Sequence, residues 1–190
     1  MTVYLLRHGA TEWSESGRHT GRTDVPLTAE GERAAERVGV LLPAGLRVIT
    51  SPRQRARRTA ELAGLRVDEV SEALAEWDYG DYEGLTTPEI RERVPGWTVW
   101  THPCPNGETA DEVTERAREL KDQVKDEDVV LVGHGHFSRV FTAVWIGQDA
   151  RFGVHFRQDP ARVTVLDDER GVPQVAELNT GGAVVRPSRH

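Results

Sequence analysis

Short apolar runs alternate with longer stretches of mixed apolar and charged residues along most of the chain. Residues 128–132 form the most apolar run, which is typical of a central strand in a parallel sheet. The predicted strands are 3–6, 47–50, 128–132, 162–166 and 174–178, and the predicted helices are 28–42, 51–64, 87–94, 109–125 and 137–146. This alternation predicts an α/β fold, and we expect a three-layer α/β/α arrangement with a mostly parallel central sheet.

Capping residues mark where several of these helices begin. Thr28 is a candidate N-cap, and residues 109–112 have the sequence of a capping box. Ser51 followed by Pro52 predicts a helix that is capped by the serine and has the proline as its first helical residue. Arg55 then falls in the first turn of that helix.

The length of 190 residues suits one domain with a substantial core, and no linker rich in proline, glycine or serine divides the chain. We expect a single domain over residues 1–179 and a loose C-terminal tail over 180–190. The apolar runs are far shorter than the roughly 20 residues of a membrane-spanning helix. The run at residues 3–6 is also shorter than the core of a secretory signal. The sequence therefore predicts a cytoplasmic globular protein.

The charge balance narrows the classes of partner. There are 24 lysine and arginine residues against 31 aspartate and glutamate residues, which gives a net charge of −7. A nucleic-acid or anionic-membrane binder would show a basic stripe, so we expect neither partner. The single cysteine, Cys104, excludes an internal disulfide and a cysteine-based zinc site. Nearly all positive charge is arginine, which suits phosphate and carboxylate binding, although genomic base composition also explains that bias.

Two histidines follow predicted strands at equivalent places. His8 comes after the first strand and His134 after the most apolar one, and a glycine follows each of them. Ligands of open α/β sheets bind at the carboxyl ends of strands. Glycines such as Gly135 allow backbone amides to approach a ligand closely. We therefore expect both histidines and Gly135 to lie in one site.

Two arginines fall at the same sheet edge. Arg7 precedes His8, and Arg55 lies at the start of a helix, where free amides and the helix dipole favour an anion. Each feature alone has an ordinary explanation as a surface residue. Their concurrence predicts a site for a dianionic group, with phosphate as the obvious candidate.

Two other interpretations of these residues are weaker. His134 and His136 are a candidate metal pair, but no acidic cluster with ligand spacing accompanies them, so we expect no metal. Residues 133–138 approach a dinucleotide-binding fingerprint, but Ser138 stands at the third glycine position. A nucleotide-dependent oxidoreductase is therefore a distant alternative, and no cofactor is expected.

Four sequence blocks occur in a fixed order and span nearly the whole chain. They are Leu6-Arg-His-Gly-Ala-Thr-Glu-Trp13, Ser51-Pro-Arg-Gln-Arg-Ala56 with Thr59-Ala60, Glu76-Trp-Asp-Tyr-Gly-Asp-Tyr-Glu-Gly84, and Gly133-His-Gly135. Together they resemble the histidine phosphatase (phosphoglycerate mutase-like) superfamily. The chain is most similar to its small bacterial acid phosphatases, and residues 77–84 and 133–139 also resemble its sedoheptulose-bisphosphatase branch.

The resemblance implies roles for individual residues. His8 corresponds to the nucleophile that becomes phosphohistidine, and His134 to the second histidine of the pocket. Arg7 and Arg55 correspond to the phosphate clamp. Glu76 corresponds to the proton donor, which protonates the leaving alkoxide and then takes a proton from water. A neutral imidazole is a usable nucleophile for this chemistry near neutral pH.

Further positions are assigned to the phosphate site less directly. Ser14 stands where the family often has asparagine and would donate a hydrogen bond with shorter reach. Thr20 corresponds to a position that often lines the pocket. Glu83 is the rival acid, although Gly84 and the tight turn favour a structural role for it. Four further arginines are candidates to extend the anion site, although we expect most of them to be solvated or paired: Arg18, Arg22, Arg58 and Arg139. Trp97 and Trp100 are expected either to roof the pocket or to pack in the core.

The function that the resemblance implies is that of a metal-independent, acid phosphatase-like phosphomonoesterase that acts on small phosphorylated metabolites through a phosphohistidine. The resemblance also implies that a homodimer is a candidate assembly. Two alternatives stay open: a cofactor-dependent phosphoglycerate mutase and a non-catalytic phosphate-binding module. The resemblance implies that mutases of the family have a longer chain, with an added segment between the acid and the second histidine that closes over the site. Here 57 residues separate Glu76 from His134, and this shorter segment favours access of water. A binding module would be expected to lose the nucleophile or the acid, and both are present.

Overall fold

The centre of the fold is a single mixed sheet. The computed structural model describes residues 1–181. Its strands are β1 (Val3–Arg7), β2 (Arg47–Thr50), β3 (Glu69–Val70), β4 (Val129–Gly133), β5 (Val163–Glu169) and β6 (Val172–Thr180). In the described residues the strand order is β3-β2-β4-β1-β5-β6. Strands β3, β2, β4 and β1 run parallel, and β5 and β6 add an antiparallel edge beside β1.

Helices cover both faces of this sheet. They are α1 (Glu12–Glu15), α2 (Ala29–Val38), α3 (Gln54–Leu62), α4 (Thr87–Arg93), α5 (Ala110–Val124) and α6 (Gly135–Trp145). Because successive side chains of a strand point to opposite faces, Tyr4 and Leu6 of β1 pack in the core with α2 and α3, whereas Val3 and Leu5 pack with α5 and α6. The predicted α/β fold with three layers and a mostly parallel sheet is confirmed.

Two predicted helix starts are wrong, and both errors lie at the sheet edge. Helix α3 begins at Gln54 with Arg53 as its N-cap, so Ser51 does not cap it. The Ser51 amide donates to the Val132 carbonyl at 2.9 Å, which ties this residue to β4. Helix α6 begins at Gly135, two residues earlier than predicted, with His134 at its N-cap position. Its free amides therefore lie directly after the second histidine.

The other boundaries agree closely with the pattern. Thr28 and Thr109 cap α2 and α5 as predicted, the latter through a capping box with Glu112. The two-residue strand β3, the four-residue helix α1 and the 3₁₀ segments at 39–41, 72–74, 80–82 and 150–155 have no counterpart among the predicted elements. They lack the length for a periodic hydrophobic pattern.

The C-terminal part of the predicted domain forms the antiparallel edge. Strand β6 ends at Thr180, the first residue of the predicted tail, and residues 182–190 of that tail lie outside the described residues. Within residues 1–181, no helix combines the length and the apolar character that crossing a membrane requires.

Candidate active site

His8 and His134 leave the sheet side by side. Strands β1 and β4 are parallel neighbours with Arg7 opposite Gly133, so the next residue of each strand emerges at the same level. The two imidazole centroids are 5.2 Å apart with an interplanar angle of 64°. His8 is 4% exposed and His134 is fully buried. The structure therefore brings the two predicted histidines into contact.

The His8 ring is neutral and keeps one nitrogen lone pair free. Its Nδ1 lies 2.7 Å from the Gly9 carbonyl oxygen. Because a carbonyl only accepts, Nδ1 carries the ring hydrogen and Nε2 keeps a free lone pair. Burial, followed by the positive charges of Arg55 and Arg7, lowers the pKa of His8 well below its usual value. The imidazole is therefore unprotonated on Nε2 at neutral pH.

His134 presents an unsatisfied donor. Its Nε2 lies 2.7 Å from the Ser51 hydroxyl, for which it is the only acceptor in residues 1–181. The hydroxyl therefore donates to Nε2, and the ring hydrogen resides on Nδ1. That Nδ1 is buried without a hydrogen-bond partner in the described residues. Burial and the charge of Arg55 lower the pKa of His134 well below its usual value, so this ring is also neutral.

Arg55 is fully buried beneath the loop of residues 20–23. Its terminal nitrogens donate to the carbonyl oxygens of Thr23 at 2.7 Å, Thr20 at 2.9 Å and Gly21 at 3.0 Å. Its Nε is buried without a partner in residues 1–181. No carboxylate of the described residues lies within ion-pair distance of Arg55, and all its hydrogen bonds in that part of the chain go to backbone oxygens.

Arg7 packs against the first turn of α6. One terminal nitrogen donates to the Gln158 carbonyl at 2.6 Å, and its Nε is buried with no partner among the described residues. A Cβ atom at Gly135 would lie 3.0 Å from the Arg7 Cζ and 3.1 Å from its Nε. A side chain at this position would therefore displace the guanidinium, which explains why the close approach requires glycine.

The Glu76 carboxylate is held by backbone amides. Its Oε1 accepts from Phe137 at 2.8 Å and from Trp77 at 3.0 Å, and its Oε2 accepts from the His136 amide at 3.0 Å. Two of these donors belong to the first turn of α6, where carboxylates are stabilised. Glu76 is 9% exposed and faces the same cavity as His8.

A cavity of about 280 Å³ opens above the His8 ring. The predicted site residues in its wall are Arg7, His8, Ser14, Thr20, Glu76 and Gly135. His134 and Arg55 are the two predicted residues outside the wall, and both are fully buried. His134 lies against the His8 ring, and Arg55 lies under the loop that carries Thr20.

Further residues in the wall escaped the sequence prediction. They are Gly17, His19, Tyr79, Thr87 and Gln158. Most of them lie in irregular segments, where neither a strand end nor a helix start marks a side chain as functional. Tyr79 lies inside the third sequence block, and its place in that block is the feature of the sequence that could have identified it as a cavity residue.

The hydroxyls of Ser14 and Thr20 are already engaged. Ser14 Oγ donates to the Thr11 carbonyl and accepts from the Thr11 amide, both at 2.9 Å, within the capping box of α1. Thr20 Oγ1 donates to the Arg18 carbonyl at 3.1 Å. Both residues line the cavity, and their hydroxyl hydrogens are directed at backbone oxygens.

Glu83, the rival acid, holds a loop. Its carboxylate accepts from the Gly21 amide at 2.9 Å and from the Thr23 amide at 3.0 Å. Arg55 binds the carbonyl oxygens of the same loop, so the two side chains fix residues 20–23 from both sides. Glu83 does not line the cavity.

The four candidate arginines around the anion site divide into two groups of two. Arg18 and Arg139 line the cavity. The other two are paired with carboxylates: Arg22 with Asp78 at 2.6 Å, and Arg58 with Glu32 of α2 at 3.0 Å and Glu61 of α3 at 2.9 Å. Carboxylates of the protein therefore neutralise Arg22 and Arg58.

Trp97 and Trp100 support the cavity wall from behind. Both are buried, and neither lines the cavity. The Trp97 ring centroid lies 5.2 Å from that of His19, and the Trp100 ring packs on His136 at 5.1 Å and beneath the Arg139 guanidinium at 4.5 Å. Core packing is thus the role that the geometry gives them.

No group of three histidine, cysteine, aspartate or glutamate side chains in residues 1–181 is arranged to hold a metal ion. The candidate pair His134 and His136 is directed at different partners. His134 Nε2 bonds to Ser51, and His136 Nδ1 lies 2.6 Å from the Tyr79 hydroxyl.

Buried histidines predict an acid-sensitive fold. The pKa values of His8, His134 and His136 lie well below their usual value, and burial lowers that of His19 from 6.5 to about 4. Below pH 6.5 the unfolded chain binds protons that the native state does not bind. The free energy of unfolding therefore decreases as the pH is lowered. Each histidine contributes up to about 1.4 kcal/mol per pH unit until its folded pKa is reached. We expect the Tm in phosphate-free buffer to fall steeply between pH 6.5 and about 4.5, and a flat Tm there would contradict neutral buried imidazoles.

The chain is similar to known proteins in both sequence and structure. A family model described as histidine phosphatase superfamily (branch 1) matches residues 3–181. An acid phosphatase of Mycobacterium tuberculosis is 47% identical over 191 residues, covering 95% of this chain and 93% of the relative. A sedoheptulose 1,7-bisphosphatase of Saccharomyces cerevisiae is 35% identical over 209 residues, covering 90% of this chain and 76% of the relative.

The fold is matched equally closely. A solved structure of an open reading frame from Mycobacterium tuberculosis superposes with a TM-score of 0.92 at 46% identity. The match covers 96% of this chain and 98% of that chain.

Proposed function

Because the chain belongs to the histidine phosphatase superfamily and is a phosphoric monoester hydrolase, we propose that it cleaves small phosphate esters through a phosphohistidine on His8, without a metal ion. The superfamily acts on small phosphorylated substrates, and a cavity of about 280 Å³ suits a molecule of that size.

One observation carries this proposal: the site contains buried donors without acceptors. Residues 1–181 contain four buried side-chain nitrogens without a partner: Arg7 Nε, Arg53 Nε, Arg55 Nε and His134 Nδ1. Arg7, Arg55 and His134 are the three that belong to the site. A buried unsatisfied donor costs about 1–3 kcal/mol, so native proteins rarely leave several close together. Arg7 and Arg55 both act electrostatically on His8, and His134 touches its ring. A phosphate group beside His8 would supply the oxygen acceptors that all three lack.

In the first step, His8 Nε2 attacks phosphorus. A nitrogen–phosphorus bond forms as the bond from phosphorus to the ester oxygen breaks, and the Glu76 carboxyl gives its proton to the departing alkoxide. The positive charge that develops on the imidazole is held by the hydrogen bond from Nδ1 to the Gly9 carbonyl. Glu76 is left as a carboxylate, the form that three backbone amides bind.

In the second step, water enters and the enzyme is regenerated. The Glu76 carboxylate takes a proton from water, whose oxygen attacks phosphorus as the nitrogen–phosphorus bond breaks. In both steps the oxygens of the phosphoryl group are bound by Arg7, Arg55 and His134. These donors stabilise the negative charge while the phosphoryl group passes from the leaving atom to the attacking atom. Two guanidinium groups without carboxylate partners in the described residues supply the positive charge that a metal supplies in other phosphatases.

Rapid quenching with a ³²P-labelled phosphate ester tests the intermediate. We expect label on the protein that is stable in base and labile in acid, because a phosphoramidate hydrolyses at low pH whereas phosphoserine survives it. Dialysis against a chelator should leave kcat unchanged within about twofold. Acid-stable label would contradict the phosphohistidine, and loss of turnover that a divalent metal restores would contradict metal independence.

A further inference from the structure

A cluster of rings forms the cavity wall beside Glu76. The His136 ring centroid lies 5.1 Å from that of Trp100, 5.8 Å from that of Tyr79 and 5.9 Å from that of His19. His136, Tyr79 and His19 line the cavity. The His136 backbone amide donates to Glu76 Oε2, so the ring belongs to a residue that is bound directly to the proposed proton donor. The leaving group, which takes the proton from Glu76, must therefore lie on this side of the cavity.

The contact with Tyr79 fixes the tautomer of His136. The Tyr79 hydroxyl lies 2.6 Å from His136 Nδ1, and no other acceptor within residues 1–181 lies in hydrogen-bonding distance of it. Tyr79 is 2% exposed, and Nδ1 is the acceptor that the described residues offer to its hydroxyl hydrogen. Burial raises the pKa of Tyr79 and lowers that of His136, so both groups are neutral. Nδ1 therefore accepts, and the ring hydrogen resides on Nε2.

That Nε2–H group has no acceptor in the protein. No described residue lies within hydrogen-bonding distance of it, and it is absent from the buried nitrogens that the fold encloses without a partner. Since His136 lines the cavity, its free N–H donor is open to the cavity space. Trp100, His19 and Tyr79 pack around the ring and restrict its orientation, which gives a donor that is positioned before any ligand arrives.

We propose that His136 Nε2 donates a hydrogen bond to an oxygen that the leaving group carries in addition to the ester oxygen, and that Tyr79 is the positioning residue that keeps the hydrogen on Nε2. The inference rests on the proposed function, because the role of Glu76 defines the leaving-group side. A neutral N–H donor fits hydroxyl, ether or carbonyl oxygens. The favoured substrates are therefore phosphate esters of hydroxylated alcohols rather than of plain alkyl alcohols.

A matched pair of substrates tests this inference. sn-Glycerol 3-phosphate and n-propyl phosphate have the same carbon chain, and only the first carries hydroxyl groups beside the ester. We expect the wild type to prefer the glycerol ester in kcat/KM by a factor on the order of ten, the value of one well-placed hydrogen bond. The readout is the change in this ratio between variants, since the difference in leaving-alcohol acidity is the same for every variant.

Two variants remove the donor in different ways. His136→Phe keeps a ring in the wall but lacks the N–H group, and the ratio is expected to fall to about one. Tyr79→Phe keeps all ring packing and frees the tautomer, so the ratio is expected to fall about threefold. Histidine ¹⁵N shifts should show the hydrogen of His136 on Nε2 in the wild type and on both nitrogens in Tyr79→Phe. Tyr82→Phe, a buried tyrosine that does not line the cavity, is the matched control and should keep the wild-type ratio.

The outcomes separate this inference from the proposed function. An unchanged ratio in His136→Phe, or a wild-type His136 with its hydrogen on Nδ1, overturns the role of His136 while leaving the phosphohistidine untouched. Turnover of p-nitrophenyl phosphate by His8→Ala, measured in the same series, overturns the proposed function instead.

Discussion

His8→Ala is expected to lower kcat for small phosphate esters by a factor on the order of 10⁴ or more, because loss of a nucleophile leaves only binding and electrostatic stabilisation. The substitution removes Nε2, which the hydrogen bond from Nδ1 to the Gly9 carbonyl keeps unprotonated. Steady-state release of phosphate from p-nitrophenyl phosphate measures the loss. Quenched samples of the variant should carry no acid-labile label.

Added imidazole provides a second measurement on the same variant. The truncated side chain leaves space that is continuous with the cavity, so free imidazole should restore part of the turnover. His155→Ala is the control, because His155 is exposed on the 3₁₀ segment at residues 150–155 and does not line the cavity. Wild-type turnover by His8→Ala would show that the phosphoryl group does not pass through this residue.

Glu76→Gln is expected to produce the second largest effect, and its size should depend on the leaving group. A poor alkyl leaving group needs a proton as its bond to phosphorus breaks, so cleavage of ethyl phosphate should slow by about 10²- to 10⁴-fold. A p-nitrophenolate leaving group needs little protonation, so p-nitrophenyl phosphate should slow by less than about tenfold. Single-turnover rates with the two esters give the comparison directly.

Glu83→Gln is a matched control for this experiment. Both carboxylates accept hydrogen bonds from backbone amides, and in either variant a glutamine NH₂ group faces one of those N–H donors. Both variants should therefore lose stability, by about 1–3 kcal/mol. Because Glu83 fixes the loop at residues 20–23 and does not line the cavity, its variant should slow both esters equally. A dependence on the leaving group in Glu83→Gln, or none in Glu76→Gln, would reverse the assignment of the acid.

Local pattern was enough to predict the elements that carry the site. An apolar run buried at every position, such as β4, has few alternatives to a central strand, and Thr28 and Thr109 cap helices through interactions that span only three residues. The prediction failed where a residue has a distant partner. Ser51 has the local sequence of a helix cap, but its hydroxyl binds His134, which lies 83 positions away along the chain.

Among the residues of the site, too, local features were predicted and contacts with distant partners were not. Strand ends and sequence blocks marked His8, Arg7 and Glu76, while the roles of Ser14 and Thr20 depended on hydroxyl directions that no sequence pattern reveals. The homodimer and the cytoplasmic location stay predictions from the sequence.

The sequence by itself determined which chemical groups are available and the sheet edge at which they emerge, because strand period and residue type are local properties. Only the tertiary structure decided the protonation of each group, since this depends on neighbours brought together by folding: the Gly9 carbonyl for His8, the Ser51 hydroxyl for His134 and the Tyr79 hydroxyl for His136. Burial also removes the water that would otherwise satisfy the free nitrogens of Arg7 and Arg55. The anion binding that we propose for the site therefore depends on the folded chain.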